Sequence, residues 1–379
     1  MTPEIKHRIE KIRRGEVPEG YVKKRKVVIP QQWGLPQIKD IASISSGSTP
    51  NRNNSEYWNG NIAWVTTGEL SSGHVNHTSE LITVKAVKET KMRIYPQGTL
   101  LMAMYGQGKT RGTVAILEID AAVNQACAAI TVKDGESKFL FYQLKNSYQD
   151  IRKLSNTGNQ ENLNADIIKT YQVPWAPDEE QERISTILTT QDRVIELKEK
   201  RLAEKQRQKK YLVQQLLTGK KRLPRFSGEW KANRLRNITA RHTKRNTIGN
   251  TNVLTISAQY GLINQAEFFS KAVASDDKSN YFLLEKGDLA YNKSYSNGYP
   301  FGAIKRLTRY EVGIVSPLYI CFRIKEGSVS GEYLEQYFEA GLMNHEIQAF
   351  AQEGARNHGL LNIAVDDFFN SKILLPPPE

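Results

Sequence analysis

The stretch most suggestive of chemistry in these 379 residues is Ala103–Thr110, AMYGQGKT, a relaxed phosphate-loop pattern with Ala where the first Gly belongs. A phosphate cradle needs a strand before it and a helix N-terminus after it, so that backbone N–H groups converge on the anion. The next residues are RGTVAIL, which have the apolar, β-branched character of a strand. His74 and His77 stand three apart, but no further Cys or His completes a zinc set, so no metal site is expected. There is no Gly-rich or NPPY-type signature of a methyltransferase, and no paired-carboxylate-plus-Lys nuclease core. No catalytic residue and no cofactor is expected. A P-loop NTPase or nuclease stands as the enzyme-class alternative.

A second set of residues suits recognition. Polar, Gly-punctuated loops carry Ser48, Thr49, Arg52 and Asn53, then Tyr105, Gln107, Lys109, Thr110 and Arg111, then Asn159 and Asn162. A further series carries Lys244 and Arg245, then Asn292, Lys293, Tyr295, Asn297 and Tyr299, then Arg356, Asn357 and His358. Arg and Lys suit guanine edges or phosphates, and Asn and Gln suit adenine. Tyr rings can pack on sugars or bases. A polar Gly-rich loop can also be a plain turn. The argument for DNA is that these loops recur at equivalent places in two halves of the chain.

Between the halves runs Asp178–Gly219, with no Pro, no internal Gly and an abundance of Glu, Lys, Gln, Arg and Leu. It predicts a helix of roughly 60 Å. Ile184, Leu188, Ile195, Leu202, Leu212 and Leu216 form an apolar stripe that one narrow helix cannot cover, so a partner helix is expected. From Arg193 to Arg225 there are twelve Lys/Arg against three Glu, while the whole chain is +13. That imbalance points to an anionic partner, and a coiled-coil assembly protein binding nucleic acid without sequence preference is the second alternative. No apolar run approaches membrane-spanning length, and Cys127 and Cys321 lie far apart in apolar runs. Buried free thiols in a reducing cytoplasm are expected.

Before the rod, Pro3–Arg14 predicts a short helix with Ile5, Ile9 and Ile12 on one face, and Tyr21–Ile29 a basic extended arm. Strands are expected at Ile62–Thr66, Thr99–Met104, Val114–Leu117 and Ala128–Val132, and a helix at Phe139–Leu154. After the rod the pattern returns. WGLPQIKDIA (33–42) answers WKANRLRNIT (230–239), YPQGTLLMA (95–103) answers LEKGDLAYN (284–292), and ITVKDG (130–135) answers CFRIKEG (321–327). LNADIIKTYQVPWAPD (163–178) answers LNIAVDDFFNSKILLPPPE (361–379). Two copies of one fold flank the helix.

This doubled order, each copy opening W-x4-[IL]-[KR]-[DN]-I and closing on a Pro-rich step, resembles the specificity (S) subunits of Type I restriction–modification systems. The resemblance implies an α+β chain with two similar mixed strand/helix target recognition domains joined by the basic spacer helix. The implied boundaries are 1–32 for a short helix and basic arm, 33–177 for the first target domain, 178–222 for the spacer and 223–377 for the second domain. Residues 378–379 would open a truncated second spacer. The resemblance further implies that each domain reads half of a split double-stranded DNA sequence. Spacers would pack antiparallel and bind methyltransferase (M) subunits and, through them, restriction (R) subunits. S-adenosylmethionine and ATP would belong to those partner chains. With the second spacer short, self-association through the rod or a covering partner is expected.

Overall fold

The computed structural model describes residues 2–106, 108–154, 162–257, 260–268, 277–296, 298–353 and 361–377. The chain forms two compact units, residues 1–198 and 199–379.

The first unit begins with α1 (Pro3–Arg13), whose N-cap Thr2 accepts the Ile5 N–H through its hydroxyl and which buries no side chain. The expected extended arm turns back on itself instead. β1 (Tyr21–Lys24) and β2 (Val27–Pro30) pair as an antiparallel hairpin, with Arg25 at φ +54 making the reversal. The body is a five-stranded sheet in the order β3 (Ala42–Ser46), β10 (Cys127–Val132), β7 (Leu100–Ala103), β8 (Val114–Leu117), β5 (His74–Val75). A second sheet places β4 (Trp58–Val65) between β6 (Glu80–Ile82) and β9 (Ala121–Val123), the β4–β9 pair being parallel. β7 and β8 are buried at every residue, which is why their sequences are unbroken apolar runs.

Three short helices, α2 (Ile38–Ile41), α3 (Val84–Thr90) and α6 (Ala165–Thr170), and the longer α4 (Ser137–Asn146) cover the sheets. α4 sets Leu140, Phe141 and Leu144 against Leu100, Met102, Val114 and Ile116. The single helix expected over Phe139–Leu154 breaks at Ser147, which caps α4 and starts α5 (Tyr148–Arg152). α7 (Asp178–Leu216, 39 residues) opens with three acidic residues in its first turn, where the helix dipole favours them. Its first turns are seated by polar contacts. Gln181, fully buried, accepts the Glu136 N–H at 2.9 Å and donates to the Ala176 carbonyl at 2.7 Å. Trp33 donates its indole N–H to Glu180 at 2.9 Å.

The second unit repeats the plan. α8 (Leu235–Ile238) leads into β12 (Thr239–Arg241), and the sheet runs β12, β19 (Ile320–Ile324), β16 (Leu289–Asn292), β17 (Ala303–Arg306). This is the order β3, β10, β7, β8 of the first unit. The registers coincide too, since Ile130 faces Leu100 as Phe322 faces Leu289. β11 (Lys231–Arg234) pairs with β22 (Lys372–Leu375), where the first unit has single bridges at Gly34–Trp175 and Gln37–Gln172. β13 (Leu254–Ser257) pairs with β14 (Gly261–Asn264), which runs into α9 (Gln265–Phe268), and β15 (Phe282–Glu285) pairs with β18 (Val312–Val315). α10 (Gly331–Glu339) packs Leu334 and Phe338 on the sheet, followed by α11 (Asn344–Gln348). β20 (Gln352–Glu353) pairs with β21 (Leu361–Asn362), and α12 (Val365–Asn370) closes the core with Phe368 stacked on Tyr291 at 4.9 Å.

Candidate nucleic-acid interface

The loop after β3 owes its path to Gly47. A Cβ there would lie 1.8 Å from the Val123 carbonyl oxygen, so only glycine lets the chain pass. Ser48 is held on both backbone sides, donating its N–H to Val123 and accepting the Trp64 indole N–H at 3.1 Å, while Thr49 is half-buried beside it. Arg52 lies 4.1 Å from the Trp58 ring centre and 5.0 Å from that of Trp64, and grips Glu80 with both terminal nitrogens. The ion pair raises the Arg52 pKa and holds the Glu80 carboxyl below its ordinary range. Asn53 is exposed beside it.

The loop between β7 and β8 exposes Tyr105 and Lys109 and half-buries Thr110. Arg111, expected as a base reader, is only 7% exposed and belongs to the framework of the first unit. Its carbonyl accepts from Arg152, and the chain turns at Gly112 directly behind it. Asn162 is half-buried, while Gln107 and Asn159 lie outside the described residues.

In the second unit Lys244 pairs with Glu285 at 3.2 Å, and Arg245 covers the Phe282 ring at 4.9 Å while donating to the Asn280 carbonyl. Asn292 caps the end of β16, accepting the Ser294 N–H at 3.1 Å, and the Lys293 carbonyl accepts from Leu361 at 3.1 Å. Tyr295 is 64% exposed. Tyr299, expected to pack on a sugar or base, is instead half-buried and joined to Lys305 and Glu339. Asn297, Arg356, Asn357 and His358 lie outside the described residues. Of the side chains named from sequence, Asn53, Tyr105, Lys109 and Tyr295 stand out most openly. Arg52, Lys244 and Arg245 would have to leave partners within their own unit to meet a base.

After Gly112 comes β8, not a helix, and the carbonyls of Gly108, Lys109 and Arg111 turn toward donors on α5. The loop therefore offers no helix N-terminus to a phosphate. His74 meets Glu118 at 2.8 Å and His77 meets Asn76 at 2.6 Å. Among the described residues no three His, Cys, Asp or Glu groups gather as metal ligands, and no helix is long and apolar enough to cross a membrane.

Along α7 the apolar stripe divides. Ile184, Leu188 and Leu216 are half-buried, whereas Ile195 and Leu202 are 53% and 59% exposed and Leu212 is exposed as well. The residues buried most deeply on the helix are Gln181 and Ser185, which periodicity of apolar side chains could not single out. Sequence reasoning also missed the loop anchors Tyr148, Arg152, Lys305 and Glu339. The spacing of Tyr148 and Arg152, one turn apart on a short helix, was the available signal.

Comparison with known proteins bears on this arrangement. Residues 30–207 match the family model of the Type I restriction modification DNA specificity domain. The chain is 34% identical over 178 residues to the Type I restriction enzyme MjaIX specificity subunit of Methanocaldococcus jannaschii, covering 45% of this chain and 40% of that protein. It is 24% identical over 208 residues to the MjaVIII specificity subunit of the same organism, covering 52% and 48%. To the Escherichia coli EcoR124I/EcoR124II specificity subunit it is 21% identical over 156 residues, covering 40% and 39%. These matches span less than half the length of the curated relatives. The fold is similar to the crystal structure of the Type I restriction–modification S subunit from M. genitalium, with TM-score 0.54, 13% identity, and 91% and 84% of the two chains covered. It is also similar to a structure from work on assembly and conformational transition of the Type I system, with TM-score 0.53, 14% identity and 92% and 87% covered. Residues 30–207, which hold the first repeat and most of α7, are thus similar to the DNA specificity domain of Type I restriction modification systems.

Proposed function

We propose that this chain reads two short half-sites of double-stranded DNA, one with each repeat, and is itself non-catalytic. The observation that carries the reading is the doubled sheet. The same strand order and register, built twice, presents loops of different sequence from the same end of each sheet. A shared frame with divergent loops is how one scaffold comes to recognise two targets. Residues 33–177 and 223–377 act as the two target domains, with 178–222 as the spacer. The exposed stripe through Ile195 and Leu202 takes a covering partner, a methyltransferase subunit or a second copy, and restriction subunits join through the former. The lysines at 200, 205, 209 and 210 add a phosphate-attracting field.

The test is selection from a pool of randomised duplexes. Two enriched base clusters separated by a fixed gap support the reading, and equal recovery of all sequences would sink it in favour of a non-specific binder. Neutralising the four lysines should weaken all duplexes alike and lower the slope of log K against log salt by up to about 4. Unchanged DNA affinity with lost methyltransferase binding would make that face a protein interface instead.

A further inference from the structure

In each repeat the connection between the third and fourth strands of the sheet order, β7–β8 and β16–β17, ends in a five-residue segment bounded by left-handed glycines. Gly108–Gly112 (GKTRG, φ +67 and +81) precedes β8, and Gly298–Gly302 (GYPFG, φ +85 and +81) precedes β17. A Cβ at Gly302 would fall 2.2 Å from the Asn292 carbonyl oxygen, and one at Gly112 would press the Arg152 side chain at 3.2 Å. These are backbone shapes other residues adopt only with strain.

Each segment is fastened by side chains outside it. In the first repeat Arg152 donates to the carbonyls of Gly108 at 2.7 Å and Arg111 at 2.9 Å. Tyr148 donates its hydroxyl to the Lys109 carbonyl at 2.6 Å, and Arg152 also reaches that hydroxyl at 3.1 Å. With three carbonyls turned to α5, the Lys109 side chain is left exposed. In the second repeat Tyr291 donates its hydroxyl to the Phe301 carbonyl at 2.6 Å. The buried Lys305 donates to the Tyr299 hydroxyl at 2.9 Å and to the Glu339 carboxylate, which also accepts from Tyr299.

The two anchors are not one inherited residue. Lys305 faces Ala290 across the sheet as Ala115 faces Leu101, so the counterpart of Lys305 is an alanine, and the first repeat supplies its cation from α5 instead. Two unrelated solutions hold the equivalent segment, Arg152 through backbone carbonyls and Lys305 through the Tyr299 side chain. A hairpin needs no such fastening to form, whereas a loop that must meet bases gains affinity when its shape is set before binding.

We propose that Arg152 and Lys305 are positioning residues for half-site recognition, each holding the glycine-bounded segment of its own repeat in the shape that meets the bases. The inference rests on the DNA-reading role proposed above. Its test is the duplex selection run on the full chain carrying Arg152→Met, Lys305→Met, Tyr148→Phe or Tyr291→Phe, with thermal melting of each. Arg152→Met should blur one enriched cluster and Lys305→Met the other, each weakening the consensus duplex roughly tenfold. The two Phe variants, which delete a single O–H donor and keep the ring, should blur the same respective clusters by roughly two- to threefold. They decide the matter where a Met variant fails to fold. Folded variants that keep both clusters sharp, or that lose both equally, would overturn the proposal. Failure of the unaltered chain to enrich any sequence would instead remove the DNA-reading role itself.

Discussion

In the first repeat the turn before β7 buries Thr99, whose hydroxyl finds no hydrogen-bond partner among the described residues. In the second, the same turn before β16 buries Asp288, only 1% exposed. Its carboxylate accepts the Glu285 N–H at 2.8 Å and two bonds from Arg323, at 2.5 and 2.8 Å. The backbone is alike at both, Thr99 donating to the Pro96 carbonyl and Asp288 to that of Glu285. A second pair of positions diverges the same way. Trp33 rests edge-on against Phe139 and donates to Glu180. Trp230 rests edge-on against Tyr333, but its indole N–H is buried without a partner among the described residues. Apolar register and turn glycines thus carry the topology twice, while the polar fastenings are local and replaceable.

The contrast can be broken at each pair. Asp288→Asn removes the charge that Arg323 faces. It should destabilise the second repeat by about 2–4 kcal/mol, less than for a fully buried pair because Arg323 is half-exposed. Urea unfolding would measure this, and a loss under about 1 kcal/mol would show the ion pair to be incidental. Trp33→Phe should cost about 1–2 kcal/mol more than Trp230→Phe, because only the former forfeits a bond to a carboxylate. Equal losses in thermal melts would erase that distinction. Thr99→Val should be neutral or stabilising by up to about 1 kcal/mol, since it deletes a buried, unbonded hydroxyl. A clear loss would mean the hydroxyl has a partner after all.

The smallest effect concerns the two thiols. Burial pushes both Cys127 and Cys321 up to about 12, so neither should react with a maleimide at pH 8 until denaturant is added. Their linkage runs against alkali. Between the ordinary thiol range and about pH 12 only the unfolded chain ionises, so stability should fall as pH rises across that window and be untouched below it.

The strands of the first repeat were legible because β7 and β8 are buried on both faces and need continuous apolar runs. The repeat was legible because its marks are irreplaceable in kind. They are a tryptophan before a short helix, a glycine at each turn and a proline step at the close. What escaped includes local breaks that apolar periodicity does not mark. Ser147 interrupts an otherwise continuous helical pattern, and the basic arm doubles back at Arg25. The candidate readers fared unevenly because contacts from outside the loop decide exposure. A loop's composition names donors and acceptors, but whether Arg111 faces outward or Tyr299 is already engaged depends on Arg152 and Lys305, each more than five residues away in sequence.

The exposed middle of α7 makes the chain its own gauge of occupancy. From Leu197 to Leu212 every side chain is exposed, and seven of those residues are lysine or arginine. A helical stretch whose side chains are all exposed opens locally and often. Trypsin should therefore cut there first, leaving two fragments close to the compact units 1–198 and 199–379. A partner packed over Ile195 and Leu202, as proposed above, should close that window. The half-life of the intact chain under protease then reports the fraction of molecules bound, with no label and no DNA.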